Sequence, residues 1–273
     1  MPAASQSTHT IDARHAGAAG SAVSAAYEQA GYLIVRSIFS GQRLSELRDG
    51  ADRFVAAVRG METLRAASRI DLLHPAMVGH HEAGLLDCLC DDAILGLSQQ
   101  LGHGPLIGTS YYLNIDTPDM YWHQDLNFLP KTLPADFDLA TFCGEIPFSQ
   151  IQWNVALTDD HCLMIVPDSH RRPLTDDEDV VRRQTDDRSI YHDDMPGGTM
   201  VELGPGDAVV YNNNLLHAVR NPQRRYRRTL HWFWVRGGHY DPYHYPRTVF
   251  TPAECAALDP RLVAMSGRAP PPL

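Results

Sequence analysis

His123 and Asp125 stand one residue apart in Tyr-Trp-His-Gln-Asp, and His217 and Arg228 follow far downstream. Side chains alternate along an extended strand, so residues i and i+2 share a face. A third ligand from a distant strand completes a two-histidine, one-carboxylate face on a metal ion. The imidazoles serve as neutral donors and the carboxylate offsets part of the ion's charge. Such a face leaves positions open for substrate and oxygen, the arrangement of non-haem Fe(II) oxygenases. An arginine beyond the third ligand has the planar fork that grips the far carboxylate of a 2-oxo acid.

The pair gains its weight from context. His-x-Asp also occurs at His192/Asp194 and His239/Asp241, and His80/Glu82 is a looser match. His192/Asp194 lies in an acidic, Gly- and Pro-flanked loop, with too little chain before His217 to build a sheet. His239/Asp241 sits between Gly237-Gly238 and Pro242, with no later arginine-bearing strand. His80/Glu82 falls near Pro75 in a mainly helical region. Only His123/Asp125 follows a β-rich aromatic run (107–121) and leaves room for several strands before His217.

Those strands are legible as short runs separated by turns. Residues 111–115, 149–157, 163–166, 199–203, 208–211 and 229–235 are β-prone, with Thr158-Asp159-Asp160 and Gly204-Pro205-Gly206-Asp207 as turns. That pattern predicts an all-β sandwich or barrel, the β core covering about 106–236. Ahead of it, 21–30 reads as a helix closed by Gly31, and 32–35 as a strand. Ser40 opens a helix in which Leu44, Leu47, Ala51, Phe54 and Val58 recur at helical spacing. Residues 61–102 read as mixed and mainly helical, so N-terminal helices buttress the sheet. Residues 1–18 are expected to be disordered, 19–250 to form one domain, and 251–273 to be a tail. The acidic stretch 171–198 reads equally as a surface insertion or as a lid.

Composition excludes other classes. With 33 acidic against 23 basic residues, the chain lacks the positive footprint of a nucleic-acid binder. Lys131 is the only lysine and lies between prolines, which disfavours Schiff-base chemistry. Cys88, Cys90, Cys143, Cys162 and Cys255 are odd in number and scattered, so no disulfide framework is expected. No leader or membrane-length apolar run is evident, and a cytoplasmic monomer or homodimer acting on a small molecule is expected.

Several segments together resemble the phytanoyl-CoA dioxygenase family of Fe(II)/2-oxoglutarate oxygenases. They are Gly31-Tyr32-Leu33-Ile34-Val35, Trp122-His123-Gln124-Asp125, Ala156-Leu157-Thr158-Asp159 leading to Val166-Pro167-Asp168-Ser169-His170, Gly206-Asp207, and His217-x-x-x-Asn221 leading to Arg228. The resemblance implies a double-stranded β-helix (jelly-roll) core. It implies iron on His123, Asp125 and His217, and 2-oxoglutarate on Arg228. Succinate and CO2 would be co-products of oxidising, by default hydroxylating, a substrate C–H bond with O2. Asp168 stands where the family usually has glycine.

Arg227 competes with Arg228 for the pocket. Strand neighbours face opposite ways, so only one of them can face the pocket; the spacing of the family that the chain resembles implies Arg228, leaving Arg227 outward. Tyr112, Asn114, Gln152 and Asn154 are further pocket residues expected to contact the co-substrate. Two other readings remain: a cupin-like metal enzyme independent of 2-oxoglutarate, and a β-sandwich that binds a small molecule without catalysis. A halogenase is disfavoured because Asp125 fills the position chloride would need.

Overall fold

The computed structural model describes residues 9–13, 20–72, 83–103, 106–125, 150–183, 194–223, 226–236 and 250–266. Eleven strands and seven α-helices are found among them. They are β1 (Thr10–Asp12), α1 (Ser21–Ala30), β2 (Tyr32–Arg36), α2 (Gly41–Arg59), β3 (Arg69–Asp71), α3 (Ala83–Asp87), α4 (Asp92–Leu101), β4 (Leu106–Ile115) and β5 (Met120–His123). There follow β6 (Gln150–Ala156), β7 (Leu163–Ile165), α5 (Asp176–Arg183), β8 (Thr199–Met200), β9 (Ala208–Asn212), β10 (His217–Val219), β11 (Arg228–Arg236), α6 (Pro252–Ala257) and α7 (Pro260–Ser266).

The strands form two sheets. The larger has the order β1-β2-β9-β6-β11-β4-β3 and the smaller β5-β10-β7-β8. Among the described residues only β1 and β2 pair in parallel. Alternation along each strand decides what lies on either side of the large sheet. Leu33, Val35, Trp153, Val155, Val210, Leu230, Trp232 and Leu113 point to a core shared with Leu47, Phe54 and Val58 of α2 and Leu97 and Leu101 of α4. On the opposite face Tyr32, Ile34, Val209 and Tyr211 pack on Leu163 and Ile165 of the small sheet. The buttressing helices and the β core therefore follow the sequence expectation, with the small sheet as the second layer of a sandwich.

Local signals act as expected at α1, where Gly31 takes φ 82° and its N–H reaches the Tyr27 carbonyl at 2.7 Å. Asp168 also lies in the left-handed region, at φ 64°. This conformation accounts for a glycine preference there, and Asp is one of the side chains that tolerates it. The Asp168 carboxylate is held by Arg172 at 2.7 Å.

Four expectations are corrected or refined. Thr10–Asp12, inside the stretch expected to be disordered, is a strand paired with Ile34–Arg36, and Ile11 packs against the core. The mainly helical region 61–102 contains β3, an edge strand on β4. The tail carries α6 and α7, and Phe250, Leu258 and Leu262 enter the core. Thr251 caps α6 in a capping box with Glu254, behind a Pro at the first turn. Within 171–198, α5 is packed: Val181 joins Trp122, Val166 and Met195, and Arg172 grips the buried Glu178 at 2.7 Å through both amino groups. Residues 184–193 of the expected lid, Lys131 and Cys143 lie outside the described residues. Cys88, Cys90, Cys162 and Cys255 are free thiols.

Candidate metal centre

His123 ends β5 and His217 begins β10, and the two are directly paired across the small sheet. Their rings lie 4.2 Å apart, centroid to centroid. Asp125 follows two residues after His123, and its backbone N–H donates to the Asn213 carbonyl at 2.9 Å. Gln124, pointing the other way, donates to the carbonyls of Asn214 at 2.8 Å and Ser169 at 3.3 Å. The Asn212–Asn214 turn that delivers His217 is thus tied to the segment that delivers Asp125.

All three side chains are buried, and one donor atom from each lies within 4.8 Å of the others. Each imidazole has its Nδ1 at a backbone carbonyl, Tyr121 O at 2.8 Å for His123 and Leu215 O at 2.7 Å for His217. That contact places the proton on Nδ1 and leaves Nε2 as the free donor. Burial, then the neighbouring His217, pushes the His123 imidazole down to about 4, so it is neutral at ordinary pH. Asp125 is 5 % exposed and makes no ion pair with Arg or Lys among the described residues. Two imidazole nitrogens and a buried carboxylate without an Arg or Lys partner among the described residues are a donor set that fits a divalent cation. Among the described residues this is the one His/Cys/Asp/Glu group of that kind. The three competing pairs fall wholly or partly outside them.

The centre opens onto a cavity of about 240 Å³ lined by both sheets. Tyr112, Asn114, Gln152 and Asn154 line it, as expected. Their partners refine their roles. The Gln152 amide donates to Asp125 Oδ2, while Asp125 Oδ1 lies 3.7 Å from His123 Nε2. Asn154 donates to Asp160 at 3.1 Å and Asn114 to Thr229 Oγ1 at 3.1 Å.

The expected orientation of the two arginines is reversed. Arg227 lines the cavity, whereas Arg228 is turned toward the helix layer. Arg228 binds Asp116 at 2.9 Å, approaches Asp52 of α2 at 3.5 Å and lies 4.3 Å from the Tyr226 ring. Strand parity explains it. Thr229, His231 and Phe233 pair with Ala156, Asn154 and Gln152, on the cavity side, while Leu230 and Trp232 face the helices. Odd-numbered residues of this strand therefore face the site, and Arg227 shares their side.

The cavity also receives Arg69, Tyr211 and His231, three residues outside the sequence expectation. Arg69-Ile70-Asp71 alternates around a buried Ile70, a short strand signal that could have found the first of them. Burial, then the charge of Arg69, holds the His231 imidazole well below its ordinary range. Asp160 is the buried partner of Arg227, and both stay ionised. Burial raises the Asp160 carboxyl, but the Arg227 charge and hydrogen bonds outweigh it and leave it below its ordinary value.

The family model for phytanoyl-CoA dioxygenase matches residues 27–226. The chain belongs to the phytanoyl-CoA dioxygenase family. Solved structures share the fold. EctD from S. alaskensis with 2-oxoglutarate and 5-hydroxyectoine is 15% identical with TM-score 0.58, covering 80% of this chain and 76% of that one. SnoK, a non-haem α-ketoglutarate-dependent carbocyclase from nogalamycin biosynthesis, is 18% identical with TM-score 0.55, covering 81% and 85%. The epimerase SnoN, in complex with Fe3+, α-ketoglutarate and nogalamycin RO, is 17% identical with TM-score 0.54, covering 80% and 91%. No curated protein matches the sequence at a significant level. The phytanoyl-CoA dioxygenase match contains His123, Asp125 and His217, and it includes Asp160. Among the described residues no helix is long and apolar enough to cross a membrane.

Proposed function

We propose that this protein is an Fe(II)/2-oxoglutarate-dependent dioxygenase with a double-stranded β-helix core, which oxidises a C–H bond of a small molecule. The convergence of His123, Asp125 and His217 at one edge of a cavity is the observation that carries this reading. When bound, iron with 2-oxoglutarate and O2 supplies the oxidising chemistry, yielding succinate and CO2; the protein supplies orientation and exclusion of water. His123 and His217 present Nε2, and Gln152 holds Asp125 Oδ2 so that Oδ1 faces the metal position. Arg227, rather than Arg228, is the residue placed to take the distal carboxylate of 2-oxoglutarate. Asn114 and Thr117 stand on the same cavity wall. Hydroxylation is the default outcome. The shared fold also accommodates a carbocyclase and an epimerase, so the outcome is set by how the substrate is posed.

Anaerobic addition of Fe(II) and 2-oxoglutarate tests the reading. A visible charge-transfer band is expected with the wild-type protein and is expected to vanish in His123→Ala and His217→Ala. A protein that binds Fe(II) but gives no band with 2-oxoglutarate would instead be a 2-oxoglutarate-independent metal enzyme. Absence of metal binding would leave a non-catalytic binding protein.

A further inference from the structure

The two segments that carry the candidate metal ligands meet a third piece of chain, the turn Asp168-Ser169-His170 after β7. On one side stands Gln124, the residue between His123 and Asp125. Its amide donates to the Ser169 carbonyl at 3.3 Å and to the Asn214 carbonyl at 2.8 Å. On the other side stands Leu216, the residue before His217, whose backbone N–H donates to Ser169 Oγ at 2.8 Å. Asn214, two residues earlier, donates from its side-chain amide to the His170 carbonyl at 2.9 Å. Ser169 therefore bonds to both ligand-bearing segments, through its carbonyl to one and its hydroxyl to the other. It is fully buried and takes no part in the cavity lining.

The turn is held from outside the centre. The Asp168 N–H donates to the Ala30 carbonyl at 2.9 Å and His170 Nε2 to the Glu28 carbonyl at 3.1 Å, so it rests on the last turn of α1. Arg172 ties the Asp168 carboxylate to Glu178 of α5, at 2.7 Å to each. Ser169 Oγ donates to the Val166 carbonyl at 2.7 Å, and the Val166 N–H donates to the Leu216 carbonyl at 2.9 Å. Both backbone polar groups of Leu216 are thereby fixed, and with them the point at which His217 leaves the chain. None of these contacts involves a ligand side chain, so the turn gives the two ligand-bearing segments a reference that does not depend on a bound ion. A hydroxyl suits the place because it accepts from one buried backbone group and donates to another. Alanine would leave the Leu216 N–H without that partner in a dry interior.

We propose that Ser169 is a positioning residue of the metal centre. Acting through Gln124 and Leu216, it sets the separation between the His123/Asp125 segment and His217, and holds the three donors together before an ion arrives. A metal tolerates little drift between its ligands, so such a brace acts on affinity and ligand geometry. The inference deepens the oxygenase reading at its metal centre and rests on it. It also accounts for Asp168, whose carboxylate lets Arg172 couple the turn to α5.

Co(II) titration of the metal-free protein, read by affinity and by the visible ligand-field bands, decides it. Ser169→Ala is expected to weaken Co(II) binding by about tenfold, the lower end of what partners of metal ligands carry, and to shift the bands. Gln124→Met, close in shape but unable to donate, is expected to do the same. The double variant is expected to lose little beyond the more affected single one, because both changes release one brace. Val58→Ala, which opens a cavity in the core on α2, is the control. It should lower the melting temperature while leaving Co(II) affinity and bands as in wild type. Where Ser169→Ala does not fold, Gln124→Met and the control decide alone. Wild-type affinity and bands in Ser169→Ala or in Gln124→Met overturn the proposal, as do losses that multiply in the double variant. So does an equal loss in Val58→Ala, which would make the effect one of general stability. These failures leave the metal centre standing, since wild type binds Co(II) in each. A wild-type protein that binds no Co(II) removes the metal centre itself, and the proposal with it.

Discussion

Arg227 and Asp160 form a buried, two-point ion pair at the inner wall of the cavity, at 2.9 and 3.0 Å, with side chains 4 % and 1 % exposed. Two charges survive in so dry a place because each offsets the other, and the pair leaves the outer N–H groups of the guanidinium available. Asp160 also accepts from Asn154 and from the Cys162 backbone, so the pair is anchored on the turn after β6. Its consequence is that the guanidinium is already oriented before any ligand arrives.

That orientation gives the first prediction. Arg227→Lys keeps the charge but loses the fork, and on the oxygenase reading it should raise the 2-oxoglutarate requirement by roughly tenfold or more. Arg228→Gln should leave that requirement within about twofold and instead lower the melting temperature, since its partners are Asp116, Asp52 and Tyr226. Succinate formation against 2-oxoglutarate concentration, with a thermal melt of each variant, separates the two. A large kinetic loss confined to Arg228→Gln would put Arg228, not Arg227, on the cavity side.

A second prediction concerns Gln152 and Asp125. Replacing Gln152 by Leu leaves Asp125 Oδ2 without its donor and frees the carboxylate to rotate. Partners of metal ligands typically carry about 10–100-fold in metal affinity, and a loss in that range is expected. Co(II) titration of the metal-free protein reads it directly. An unchanged Co(II) affinity and spectrum would show that the Gln152 amide does not orient the ligand.

Acid should destabilise the protein in part through His170. This imidazole is buried, donates from Nε2 to the Glu28 carbonyl at 3.1 Å, and has no hydrogen-bond partner for Nδ1 among the described residues. Burial pushes it down to about 4. The unfolded chain therefore binds a proton near pH 6.5 that the folded chain refuses until about pH 4. Stability is intact above pH 6.5 and falls between these values, by something on the order of 2–3 kcal/mol for a group this buried. Urea midpoints from about pH 7 to about pH 4 should drop less steeply in His170→Gln than in wild type. Parallel slopes would exclude His170 as a source of the acid sensitivity.

Gly206 is the fourth test. It has φ 86°, and a Cβ there would run into the Phe39 carbonyl oxygen. Asp207 beside it accepts from the N–H groups of Ser37 at 2.8 Å and Gly204 at 2.9 Å, so the turn joins β2 to β9. Gly206→Ala should destabilise by about 2–4 kcal/mol, combining backbone strain with displaced chain. A melting temperature within a degree of wild type would contradict that geometry.

The convergence of His123, Asp125 and His217 was legible because a two-residue spacing on a strand has few alternative readings, and chain length then set the competing pairs aside. The arginine was not, because adjacent arginines differ only in parity, and parity depends on where the preceding loop sets the strand. The cavity-facing Thr229, His231 and Phe233 carried that parity within the sequence itself. Arg69 was hidden by the brevity of β3, three residues on a sheet edge inside a helical neighbourhood. Helices α6 and α7 were missed although Thr251-Pro252-x-Glu254 is a helix start signal.

The two histidines are paired across the small sheet, and Arg227 leads into β11 of the large one. An ion fastened to His123, Asp125 and His217 grips chiefly one layer of the sandwich. On the oxygenase reading, a dicarboxylate held by that ion and by Arg227 would connect this layer to the other, and so would work as a strut across the gap. Its shortening by one carbon on conversion to succinate would withdraw the strut. On this view the co-substrate sets the stiffness of the pocket at each stage of turnover, firm while an oxidant is present and slack when product has to leave.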